Sequence, residues 1–153
     1  MSTDGIREGI IGALVTKLST ITTGNGYQQN VGDVLDYPTH FNDLDRGSFP
    51  VVSIVIGRTR QEYLLGNANI DATMAIGLRC YVEGYDEDTI RDSANKLTED
   101  INKCLFNNNT LGLSYVINTK VMNMTPPFIW LDVGDVGMFD ITINVIYRRD
   151  LSA

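Results

Sequence analysis

His40 is the only histidine of the chain, and it stands near Asp33, Asp36, Asp43 and Asp45. An imidazole among carboxylates is the minimum for a hard-cation site or for proton transfer near neutral pH. The spacing, however, fits no calcium-loop pattern. A single histidine also removes most zinc sites and every Ser-His-Asp arrangement that does not pass through His40. The stretch therefore reads as an acidic solvated loop. Asp132 and Asp135 form a second carboxylate pair, but nothing around them forms a cleft for acid and base work. Gly134-Asp135-Val136-Gly137 is acidic where a glycine-rich nucleic-acid clamp needs positive charge, so its glycines read as a turn. The chain contains neither a Gly-x-x-x-x-Gly-Lys phosphate loop nor a Gly-x-Ser-x-Gly nucleophile elbow. Cys80 and Cys104 are far apart, in no metal-ligand spacing, and read as buried thiols. The expectation is no metal, no cofactor and no catalytic residue: a protein that is not an enzyme.

The elements that would position these residues fit one domain spanning 1–153. A chain of 153 residues with 43% apolar and 20% charged residues can build an ordinary core without disulfides or metals. Twelve Lys and Arg against 19 Asp and Glu leave a net charge of -7, which repels phosphate backbones and argues against nucleic-acid affinity. Met1 to Leu18 carries Asp4 and Glu8 and no long uncharged run. Neither a signal peptide nor a membrane anchor is expected there, and the protein is expected to stay in the cytoplasm where it is made.

Apolar spacings of three and four from Ile6 through Ile10, Ala13 or Leu14 and Leu18 to Ile21 predict a first helix, with Asp4 at its start and Gly24 as its stop. A weak strand falls around Tyr27 to Gln29, and Asp33 to Phe49 reads as a loop. Val51 to Ile56 predicts a strand opened by Pro50 and closed by Gly57. Ile70, Ala72, Met74, Ile76, Leu78, Cys80 and Val82 alternate with more polar neighbours, the pattern of a long strand with one buried face. The acids between Gly84 and Asp88 suit the start of a second helix. Its apolar stripe is Ile90, Ala94, Leu97, Ile101 and Cys104 or Leu105, with Asp92, Lys96, Glu99, Asp100 and Lys103 on a solvated face. Strands around Leu113 to Met124 and Met138 to Arg149 follow and are expected to pair antiparallel. The fold class is α+β in the order α-β-β-β-α-β-β: an antiparallel or mixed sheet of four to five strands with both helices on one face.

Two connections depart from these patterns. Arg58 to Asn69 is longer than an ordinary hairpin loop and carries Arg58, Arg60, Tyr63, Leu64 and Leu65; Thr125 to Gly137 carries Trp130 and reads as a structured hairpin arm. Tyr, Trp and Arg are enriched at protein interfaces, so Arg58, Arg60, Tyr63, Leu64, Leu65 and Trp130 are the candidate contact residues. The alternative for Leu64 and Leu65 is that they fold back onto the core.

The helix Ile6 to Ile21, the run Phe49-Pro50-Val51-Val52, the alternating strand Ile70 to Val82, the helix Ile90 to Leu105 and the closing Ile141-Thr142-Ile143-Asn144-Val145-Ile146-Tyr147 follow one another in a telling order. In that order the chain resembles, over nearly its whole length, the tail terminator or tail-completion proteins of tailed bacteriophages. The resemblance implies a homohexameric ring, a structural virion component of the tail or neck assembled in the host cytoplasm. Such a ring would cap the head-proximal end of the tail tube, stop polymerisation and present its other face to head-completion or neck proteins. Its partners would be copies of itself, the tail tube protein and the neck proteins, with genome DNA only in transit through the lumen and no membrane. A head-tail connector of the same particle would share these traits. A small ligand-binding or enzymatic α+β domain is the alternative of another class, and a pocket lined by His40 and its acids would mark it.

Overall fold

The computed structural model describes residues 3–37, 49–63, 69–126, 128–130 and 136–150. In chain order these form α1 (Thr3–Leu18), a short 3-10 turn (Thr23–Asn25), β1 (Asp33–Leu35), β2 (Val51–Tyr63) and β3 (Asn69–Glu83). After them come α2 (Glu87–Asn107), β4 (Val116–Met124), β5 (Phe128–Trp130) and β6 (Val136–Asp150). The sheet is mixed, in the order β1-β2-β3-β6-β4, with β5 beside the start of β6. β1 runs parallel to β2 and every other pairing is antiparallel, including the expected pair β4 and β6.

The alternation in β3 decides which way the sheet faces. Ala72, Met74, Ile76, Leu78, Cys80 and Val82 are buried in one cluster with Val52 and Ile54 of β2 and with Phe139, Ile141, Ile143, Val145 and Tyr147 of β6. Ile6, Ile10, Leu14 and Leu18 of α1 and Ile90, Leu97, Ile101, Cys104 and Leu105 of α2 close over that face. Each fully buried Ile or Leu is worth about 1.5–3 kcal/mol relative to exposure, so this alternation holds the helices on the sheet. On the opposite face, cross-strand partners meet as ion pairs: Arg79 with Asp140 at 3.0 Å, and Arg148 with both carboxylate oxygens of Asp71 at 2.8 and 3.2 Å. A smaller cluster of Val51, Tyr81 and Val136, with Leu35, Phe49 and Met138 against it, covers one end of that face.

Local chemistry sets the helix ends. α1 stops at Leu18, short of Gly24; past its end the Ser19 and Thr20 hydroxyls donate to the Val15 and Lys17 carbonyls, which also accept from the Ser19 and Thr20 backbone N–H groups. α2 begins at Asp86, whose side chain accepts from the Thr89 N–H while the Thr89 hydroxyl accepts from the Asp86 N–H, a reciprocal capping box. Glu87 and Asp88 follow in the first turn, where the helix dipole favours negative charge.

Several sequence expectations need correction. No strand forms at Tyr27 to Gln29; the early strand is instead β1, inside the stretch read as a loop. Gly57 does not end its strand. β2 continues through Arg58 to Tyr63, after a register shift between Ile56 and Thr59. The glycine is needed because a Cβ there would stand 2.8 Å from the Ala75 carbonyl oxygen. The strand expected from Leu113 begins at Val116, and β5 adds a strand to the expected order. Asp100 and Lys103 do not lie on a purely solvated face. Asp100 is 2% exposed and accepts from the backbone N–H groups of Gln28, at 3.0 and 3.1 Å, and Gln29, at 2.8 Å. Lys103 donates to the Gly26 carbonyl at 2.9 Å and sits 5.1 Å from the centre of the Tyr27 ring.

Candidate functional site

His40, Asp43 and Asp45 lie outside the described residues, as do Asp132, Asp135 and Gly134. Asp33 and Asp36 are exposed at and just after β1. Among the described residues no three His, Cys, Asp or Glu side chains gather closely enough to hold a metal ion. Cys80 and Cys104 are buried, as expected. Burial raises the pKa of both thiols, most strongly that of Cys80, and Cys104 Sγ donates to the Lys17 carbonyl at 3.3 Å. Such thiols are poor nucleophiles. No described helix is long and apolar enough to cross a membrane.

The candidate contact residues fall into two groups. Arg58 and Arg60 lie exposed on the far half of β2, with no ion pair to a described acid, and Tyr63 ends the strand opposite Ile70. Arg60, Asp71, Thr73 and Ile146 line a shallow cleft of about 310 Å³. The Arg148 guanidinium beside Asp71 holds that carboxyl below its ordinary range, so Asp71 is already engaged and does not serve Arg60. Leu64 and Leu65 lie outside the described residues. Trp130 ends β5 opposite Val136 of β6, whereas the Tyr63 end of the sheet lies beside Arg149 of the same strand. The intervening length of β6 spans on the order of 40 Å at ~3.3 Å per residue. The two groups thus sit at opposite ends of the sheet and cannot share one patch.

Sequence reasoning missed the apolar side chains beside the β4 edge. Phe106 on α2 is 83% exposed, and Ile117, Met122 and Met124 on β4 are close to half exposed. Between α2 and β4 runs a groove of about 460 Å³ lined by Asn102, Phe106, Asn109, Asn118, Thr119 and Met122, among others. The register of β4 on β6 shifts between Val116 and Asn118 and again between Val121 and Asn123. Those shifts break the alternation, so the strand's apolar residues cannot be assigned to one face from sequence. The available signal was the crowding of Ile117, Met122 and Met124 in a strand with few buried positions.

The chain matches no protein-family model, and no curated protein matches it.

Proposed function

We propose that this chain is a structural virion protein of a tailed bacteriophage, a tail-terminator-like subunit. Copies of it close into a ring, a hexamer in the family it resembles, on the head-proximal end of the tail tube. The ring ends tube growth and offers its other face to head-completion or neck proteins. The observation that carries this reading is the β2–β3 ribbon. β1 covers only Val51 to Ser53, so among the described residues β2 runs on from Ile54 to Tyr63 with a single strand partner and displays Arg58 and Arg60 without a described acid to pair them.

A lone subunit gains little from such a ribbon, because an unpaired strand edge is a template for association. A neighbouring subunit gains a docking arm. The Trp130 hairpin at the other end of the sheet supports the same reading, since a ring needs two different surfaces on every subunit. The net charge of -7 suits a channel through which DNA passes without being held.

Light scattering and negative-stain microscopy of the purified protein, alone and with tail tubes, test the proposal. A ring is expected, and replacing Arg58 and Arg60 together by Glu should weaken it while leaving the circular dichroism unchanged. In phage, the same double variant should give tails of uncontrolled length. A ring that joins heads to tails without affecting tube length would place the protein among the connectors instead. A monomer at every concentration, in solution and on tubes, would sink the ring altogether.

A further inference from the structure

The sheet has two open edges, and they match. Among the described residues β4 has β6 on one side and no strand on the other, while β2 beyond Ser53 has β3 alone. The free stretch of β2, Ile54 to Tyr63, is about as long as β4, which has 9 residues. β2 runs antiparallel to β3, β3 to β6 and β6 to β4, so β4 runs opposite to β2. Two copies set side by side in the same sense would therefore bring β4 of one against β2 of the next as antiparallel neighbours.

The ground beside β4 fits a peptide strand. The polar groups of the α2–β4 groove are the amides of Asn102, Asn109 and Asn118, the Thr119 hydroxyl and Lys120, with no carboxylate among its lining. The side-chain amides can pair with backbone N–H and C=O groups, and Lys120 is the one charged residue of the lining. Thr119 is 6% exposed, and among the described residues its enclosed Oγ1 has no hydrogen-bond partner. The Thr119 N–H is taken by Asn118 Oδ1 at 2.9 Å, a local substitute of the kind side chains supply where backbone pairing is missing. Phe106 and Met122 flank the groove, exposed.

On the other edge, Ile56 is 49% exposed and is the direct partner of buried Ile76, so it points to the helix-bearing face of the sheet. That is the face on which the α2–β4 groove opens in a neighbouring copy.

The geometry points to a defined joint between copies: β2 of one subunit, from Ile54 onward, adds as a strand along β4 of the next, and Ile56 enters the groove between α2 and β4. This rests on the ring reading and names its contact surfaces. The occupant is a second copy because the chain itself carries the complementary edge, of matching length and direction, with an apolar side chain on the correct face. The two surfaces differ, so the contact is heterologous and passes from subunit to subunit until a ring closes.

Ile56→Asp and Phe106→Asp alter exposed side chains, and unchanged circular dichroism will establish that each variant folds. Each alone should raise the protein concentration needed for half-association by roughly tenfold or more. An equimolar mixture, well above the wild-type midpoint, should form dimers and nothing larger. The Ile56→Asp subunit keeps an intact groove and the Phe106→Asp subunit an intact β2 edge, so exactly one joint survives per pair. Met122→Asp replaces Phe106→Asp if the latter fails to fold, with the same expectation. Association of both variants at wild-type strength, or a mixture that forms no dimer, overturns this joint and leaves the ring reading standing. A wild-type protein that never associates, in solution or on tail tubes, overturns both.

Discussion

At the scale of single residues, Asp100 is the most consequential side chain that a helical-wheel reading misplaces. It lies three residues after Leu97 and four before Cys104, both buried, so it flanks the apolar stripe of α2 instead of facing away from it. That spacing was the legible signal. What sequence could not supply was its partner, because the Gln28 and Gln29 N–H groups come from a loop more than seventy residues earlier. Asp100→Ala leaves part-buried donors without their acceptor and should cost about 1 kcal/mol, measured by urea unfolding. Asp100→Asn, which keeps an acceptor oxygen, should cost less. If the two substitutions are equally mild, the clasp on residues 28 and 29 contributes little. Cys80 gives the opposite case, where alternation alone identified a residue that is fully enclosed. Cys80→Asp places an unpaired charge in the core and should cost about 3–5 kcal/mol, read as loss of soluble, cooperatively unfolding protein. Alkylation of the wild-type thiol should become measurable only under denaturing conditions, since burial raises its pKa far above neutral pH.

Among the elements, α2 should respond to acid at an identifiable residue. The hydrogen bonds from the Thr89 backbone and side chain lower the pKa of Asp86 from its ordinary value of 3.8. A carboxyl with a lowered pKa in the folded protein stabilises fully above the unfolded value and loses that contribution as pH falls through the folded one. Asp86→Asn should therefore narrow the difference in melting temperature between neutral pH and pH values below 3.8. An unchanged acid profile in the variant would show that the cap does not contribute to it. Long elements were legible wherever one face is buried, as in β3 and α2. The outer half of β2 was not, for two physical reasons: the shift after Ile56 resets the alternation, and Gly57 to Gln61 contains no apolar side chain whose period could be detected. β1, with 3 residues, is too short to show a period at all, and only its parallel pairing with Val51 to Ser53 makes it a strand. The candidate contact residues were legible as types, yet their separation into two ends of the sheet depends on strand order, which no local pattern encodes.

For the whole molecule, α+β architecture with helices on one face followed from the two long alternating strands, whereas the central position of β6 did not. β6 pairs with β3, β4 and β5, and β4 and β5 have no other strand partner among the described residues. A chain ended after Met124 should consequently lack cooperative unfolding by circular dichroism, although it retains both helices and the β2–β3 ribbon. The same arrangement has a consequence for synthesis. β3 is complete at Glu83, but the strand that covers its second edge is not complete until Asp150. At roughly 5–20 residues per second, translation leaves that edge uncovered for about 3–13 s on the ribosome. Throughout that interval the β2–β3 ribbon can be completed by a β6 released from another chain on the same message, and subunits produced that way would emerge with their last strands exchanged.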